Sequence, residues 1–108
     1  MALQIEDAEA VPAAEAIAGV PGVDVLFVGP SDLSLSMGYP GQADHPAVQE
    51  AIARVFKTAR AAGCEVGYFV RDAEAAKAMI GRGVRFVSFS STTTIGAVFR
   101  DLAVRTRD

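Results

Sequence analysis

Leu26-Phe27-Val28-Gly29-Pro30-Ser31-Asp32-Leu33-Ser34 is the stretch on which the reading of this chain turns. Apolar residues climb a strand, a Gly-Pro pair breaks it, and a carboxylate stands just beyond the break. A carboxylate is costly inside a sheet, but at the lip of a strand it is held rigidly and still meets a ligand. An earlier apolar segment, Met1-Ala2-Leu3-Gln4-Ile5, ends in the same way on Glu6. Parallel strands lie about 4.8 Å apart and end on one face, so carboxylates past neighbouring strands converge on one site. Two carboxylates with room for water and a ligand suit Mg²⁺ or Mn²⁺ better than zinc. The plainer alternative stays open at this point: Asp7 caps a helix and Asp32 merely starts a polar loop.

The pattern outward from this stretch is strand followed by helix. Asp44-His45-Pro46 starts a helix, with Pro46 in the first turn where a missing N–H costs nothing. Val48, Ile52, Val55, Phe56 and Ala59 recur at helical spacing, and Gly63 closes the helix. Cys64 to Val70 reads as a strand. Asp72 caps a helix through Ala75, Ala76, Met79 and Ile80, closed by Gly81 or Gly83. Val84 to Ser90 is the next strand, and the threonines after it cap a last helix through Ile95, Val98, Phe99 and Leu102. Towards the N-terminus, Val23 to Val28 is a strand and Ala13 to Ala18 belongs to a helix. Pro12 lies too deep for a helix capped at Asp7, which predicts a short turn and a fresh start near Pro12.

Composition narrows the classes. The 108 residues are 51% apolar, which places them far from disordered chains and within reach of one domain, 1–108. Net charge is -3 and the ten basic residues are scattered, so no nucleic-acid partner is expected. The apolar runs fall well short of the ~20 residues of a membrane span, and no secretory leader is legible at the start. A cytoplasmic protein is the expectation. Cys64, the only cysteine, excludes an internal disulfide and a cysteine-based zinc site.

Strand and helix alternating four times argues for parallel βαβ units with right-handed crossovers. The predicted fold class is therefore α/β, four βα units corresponding to half of a (β/α)₈ TIM barrel, which as a whole needs ~250 residues. An open sheet of this kind exposes two edges, Ala2–Ile5 and Val84–Ser90, and exposed edges invite another chain. Self-association, or docking of a complementary half-barrel, is the expectation. A small flavodoxin-like sheet is the alternative, although it usually wants a fifth strand and a ligand loop after its first.

Gln4-Ile5-Glu6, followed by Phe27-Val28-Gly29-Pro30-Ser31-Asp32-Leu33, resembles the HpcH/HpaI class II pyruvate aldolases. That family includes the 4-hydroxy-2-oxoheptanedioate and 2-dehydro-3-deoxyglucarate aldolases. Gly38-Tyr39-Pro40 and His45-Pro46-x-Val48-Gln49 continue the likeness. It covers nearly the whole chain and corresponds to the C-terminal half of the family's barrel. The resemblance implies that Glu6 and Asp32 are the ligands of a divalent cation, Mg²⁺ or Mn²⁺. It implies that Gln4 contacts a 2-oxo acid substrate and that the backbone N–H of Ser31 meets the substrate's carboxylate beside Asp32. The implied reaction is reversible cleavage of a 4-hydroxy-2-oxo acid to pyruvate and an aldehyde. The family's catalytic histidine and oxo-acid-binding arginine belong to the other half of its barrel, so no catalytic residue is carried over to this chain. These 108 residues alone are therefore expected to be inactive. The alternative is a non-catalytic half-barrel fragment or assembly module. After the last strand the family's Gly-x-Asp pattern is replaced by Ser90-Ser91-Thr92.

The remaining candidates receive structural readings. His45 starts a helix rather than acting as a base. Cys64 is a small buried or edge residue. Ser90 to Thr94 cap a helix rather than hold a phosphate. Ser34, Ser36 and Gly38 shape a loop, and Arg71 and Arg82 are solvated charges. Lys57 and Lys77 are the only lysines, both in helices, which argues against Schiff-base chemistry.

Overall fold

A computed structural model describes residues 1–107. Its elements run β1 (Ala2–Ile5), α1 (Ala10–Ala18), β2 (Val25–Val28), α2 (Pro30–Ser36), α3 (Pro46–Ala61), β3 (Glu65–Phe69), α4 (Ala73–Gly81), β4 (Phe86–Ser88) and α5 (Ser91–Arg105). The four strands form one parallel sheet in the order β1-β2-β3-β4. The strand-helix alternation is as expected, with shorter strands: the last one keeps only Phe86–Ser88 of the predicted Val84–Ser90.

One face of the sheet carries the core. Ile5, Leu26, Val28, Val66 and Tyr68 are buried against Val11 and Ala14 of α1 and Val48, Ile52, Val55 and Phe56 of α3. The register aligns Gln4 with Phe27, Phe27 with Gly67, and Phe69 with Ser88 on the opposite face. Among the described residues, no helix covers that second face. The Phe27 ring lies across Gly67, where an added Cβ would come within 2.5 Å of Phe27 Cδ2. Phe86 meets Phe27 edge-on at 5.9 Å.

Helix boundaries follow their capping chemistry. Asp7 Oδ1 accepts from the Glu9 amide at 2.8 Å, forming the expected turn before α1. Pro12 then falls at the third helical position, where an N–H would have no intrahelical acceptor. His45 Nδ1 accepts from the Ala47 amide at 3.2 Å and Pro46 opens α3. At the end of α3, Gly63 takes φ 77°, Cys64 N–H donates to Ala59 O and Gly63 N–H to Arg60 O. The same paired bonds recur at Gly83, which rather than Gly81 closes α4. Asp72 and Ser90 cap α4 and α5 through the amides of Ala75 and Thr93.

Two expectations need correction. Ser34 and Ser36 do not shape a loop: they belong to α2, and the alternative that Asp32 starts a polar loop falls with it, since Asp32 lies in that helix's first turn. Pro30 supplies the fixed φ that starts it, and Leu33 is buried beneath it. Arg82 is not a free solvated charge either. Its guanidinium sits 5.1 Å from the Phe56 ring centroid and donates to Gln49 Oε1 at 3.2 Å. Among the described residues, none of α4 or α5 is buried, and no helix is long and apolar enough to cross a membrane.

Candidate functional site

The C-terminal ends of β1 and β2 meet at Gly29. Its amide donates to Ile5 O at 3.3 Å, which draws the end of β2 against the end of β1. Its φ of -96° is open to any residue, so its requirement is one of space. A Cβ there would lie 2.7 Å from Gln4 Nε2 and 3.3 Å from Glu6 Oε2. Those two side chains occupy the volume that a larger residue would need. Gln4 Nε2 donates to Glu6 Oε2 at 2.6 Å, fixing how the carboxylate is turned.

A concavity of about 280 Å³ opens beside this contact, lined by Gln4, Phe27, Gly29, Pro30, Ser31, Asp32, Phe69 and Ser88. Three of the residues singled out from sequence, Gln4, Ser31 and Asp32, share its wall. Glu6 is not part of that wall; it stands at the border, joined to it through Gln4. Phe27, Phe69 and Ser88 were missed by the sequence reading. The period-two alternation of the strands carried the signal, since these residues share a sheet face with Gln4.

The donor set is hard. Glu6 and Asp32 are exposed carboxylates past neighbouring strands, and Gln4 adds an amide. Among the described residues no cluster of three or more His, Cys, Asp and Glu exists. Two carboxylates with open surroundings fit Mg²⁺ or Mn²⁺, which keep several water ligands, and do not fit a closed zinc site. The residues present are thus compatible with the divalent cation that the resemblance implies.

The other candidates take structural roles. His45 caps α3 and stacks on Tyr39, with ring centroids 3.8 Å apart. Cys64 is buried, its Sγ 3.4 Å from Val23 O. Ser90 Oγ is spent on the Thr93 amide. On the helix side of the sheet, Tyr68 contributes to a second concavity of about 260 Å³ with Ser34, Asp44, Gln49 and Arg71. Burial pushes the Tyr68 phenol above its ordinary value; Arg82 and the Gln49 side chain pull it down, and Asp44 pushes it up.

Comparison with known proteins gives one family. The HpcH/HpaI aldolase/citrate lyase family matches residues 1–97. The chain is 43% identical over 89 residues to a hydroxypyruvate/pyruvate aldolase of Paraburkholderia phytofirmans, covering 82% of this chain and 34% of that protein. It is 40% identical over 93 residues to a 4-hydroxy-2-oxo-heptane-1,7-dioate aldolase of Salmonella arizonae, covering 86% and 35% respectively. The crystal structure of an HpcH/HpaI aldolase/citrate lyase family protein from Burkholderia cenocepacia superposes with a TM-score of 0.94 at 37% identity. That match covers 99% of this chain and 42% of the other. The chain spans about a third of the length of the curated relatives it matches. Its four βα units correspond to half of their barrel. With residues 1–97 matched by the family and 99% of the chain superposing on a solved member, the chain belongs to the HpcH/HpaI aldolase/citrate lyase family.

Proposed function

We propose that this chain forms the cation-holding side of a pyruvate-aldolase site, one that reversibly cleaves a 4-hydroxy-2-oxo acid to pyruvate and an aldehyde. The observation that carries this reading is the gathering of Gln4, Ser31 and Asp32 around one concavity, with Glu6 tied to Gln4 at its border. Glu6 and Asp32 hold the cation. When bound, the cation supplies positive charge against the enolate that develops as the C3–C4 bond breaks. Gln4 keeps the Glu6 carboxylate turned towards the site and offers its amide to the oxo acid. The backbone N–H of Ser31, in the first turn of α2 and outside the helical ladder, receives the substrate carboxylate. Phe27 and Phe69 give the floor an apolar surface that limits water around the reacting carbons.

In the cleavage direction, the electron pair of the C3–C4 bond moves into the pyruvate enolate, the C4 hydroxyl proton leaves to a base, and C3 is later protonated. His45 caps α3 through Nδ1, stacks on Tyr39 and does not line the concavity, so this reading gives it no part as that base. The proton-transfer group and the arginine clamp belong to further strands of the complete barrel, on the same or another polypeptide. Acid–base assistance contributes about 10²–10⁴-fold, so the 108 residues alone are expected to turn over little or no substrate.

The test has two parts. Calorimetry on the chain should detect weak Mn²⁺ binding that disappears in Asp32→Asn. A coupled pyruvate assay of the chain mixed with an N-terminal half-barrel should show metal-dependent pyruvate release that is lost in Glu6→Gln and kept in His45→Ala. Binding untouched by Asp32→Asn, or strong release by the isolated chain that His45→Ala removes, would overturn the assignment.

A further inference from the structure

Resting on the reading of Glu6 and Asp32 as cation ligands, we infer that Ser36 is a positioning residue that clamps the turn carrying Glu6 to the helix carrying Asp32. In the turn after β1, two amides bond locally: Glu9 N–H donates to Asp7 Oδ1 at 2.8 Å and Ala10 N–H to Asp7 O at 3.0 Å. Ala8 bonds outside the turn. Its N–H donates to Ser36 Oγ at 2.9 Å, across 28 residues of sequence.

Ser36 lies one helical turn after Asp32, so the two side chains share one face of α2. Ala8 lies two residues after Glu6. The single bond between Ala8 and Ser36 therefore orients the Asp32 face of α2 towards the Glu6 turn. Ser34, also in α2, has no such role: it is buried and its hydroxyl returns to Ser31 O at 2.8 Å. At the strand ends, Gly29 N–H to Ile5 O joins the same two segments through backbone alone. Together these bonds fix the two chain segments at two points, and only the one at Ser36 depends on a side chain.

Removing a direct hydrogen-bond partner of a metal ligand typically costs about 10–100-fold in metal affinity, and Ser36, one step further out, is expected at the low end of that range. Ser36→Ala deletes the acceptor, while Ser36→Thr keeps a hydroxyl at the same position. In the ¹⁵N-labelled, metal-free chain, exchange of the Ala8 amide should accelerate roughly tenfold in Ser36→Ala, with the Leu26 and Val28 amides unchanged. Mn²⁺ titration followed by the paramagnetic resonance of the free ion should show affinity weakened roughly tenfold in Ser36→Ala and restored in Ser36→Thr. Unaltered Ala8 exchange would overturn the clamp. Faster Ala8 exchange with unchanged Mn²⁺ affinity would overturn its positioning role. Glu6→Gln, measured alongside, reports separately on the cation site: if it leaves Mn²⁺ affinity intact, the metal reading fails, and the positioning role fails with it.

Discussion

At the scale of single residues, Gly29 shows how a small side chain can be required without any unusual backbone angle. Alanine is conformationally acceptable at φ -96°, and its Cβ would meet the flexible end of Gln4 rather than backbone. Gln4 can move aside cheaply, but in doing so it releases Glu6 Oε2. Gly29→Ala should therefore leave the melting temperature close to wild type while weakening Mn²⁺ binding, measured by the same titration. A large loss of stability with unchanged binding would refute that account. Tyr68 gives a second residue-level prediction. Its phenol is buried and its pKa is raised above the unfolded value, so the folded state holds the proton more tightly. The resulting stability is fully present below about pH 10, the unfolded value, and is lost as pH rises through the higher folded value. Urea midpoints between about pH 8 and about pH 11 should fall at the alkaline end, and Tyr68→Phe should flatten that fall. Sequence singles out Glu6 and Asp32 as candidates because a charge at or just past the end of an apolar run is conspicuous. It could not reveal Arg82 packing on Phe56, since a long aliphatic stem carrying a charge looks the same whether solvated or laid over a ring.

At the scale of elements, turn chemistry explains both what was legible and what was not. The helix end at Gly63 could be read directly and that of α4 narrowed to Gly81 or Gly83, because only glycine enters φ near +80° without strain. Gly63→Ala should accordingly cost about 1 kcal/mol in a urea unfolding experiment, the penalty of placing a Cβ in the left-handed region. Nothing lies within 4 Å of the added atom, so a much larger loss would point to some cause other than φ. The helix α2 escaped notice for the opposite reason. Pro30-Ser31-Asp32-Leu33-Ser34-Leu35-Ser36 is rich in residues that favour turns, and a 7-residue segment is too short for an apolar period to stand out. It is helical because tertiary contacts override propensity: Leu33 and Ser34 are buried beneath it, and Pro30 fixes its first turn. The same oversight hid Ser36, whose link to Ala8 depends on where α2 points.

At the scale of the whole molecule, the sheet is covered on one side only. A folded monomer of 11.3 kDa is expected to expose about 5,700 Å², whereas this chain exposes 6914 Å². Its radius of gyration, 15.8 Å, exceeds the roughly 13 Å of a compact domain of this length, and its longest extent is 56 Å. The surplus of about 1,200 Å² is comparable to one partner's share of a standard protein interface, about 800 Å². Much of it is apolar: Phe86 and Phe89 flank the uncovered sheet face, while Ile95, Val98, Phe99 and Leu102 run along α5, all at least half exposed. The spacing of those four positions is the apolar stripe by which the sequence predicts this helix, and in the fold that stripe is exposed. Among the described residues, β1 and β4 also leave one row each of backbone groups without a strand neighbour. These features predict that the isolated chain sediments as a self-associated species, or melts at low temperature unless a complementary half-barrel is added. In the mixture, the complex should sediment as one species, and α5 amides should become more protected from exchange. A sharply melting monomer at micromolar concentration, unaffected by the added half, would mean that the exposed stripe and the open edges are tolerated as they stand. The barrel-completion reading would then have to be abandoned, while the proposed cation site, whose candidate ligands follow β1 and β2, would still be tested by its own variants.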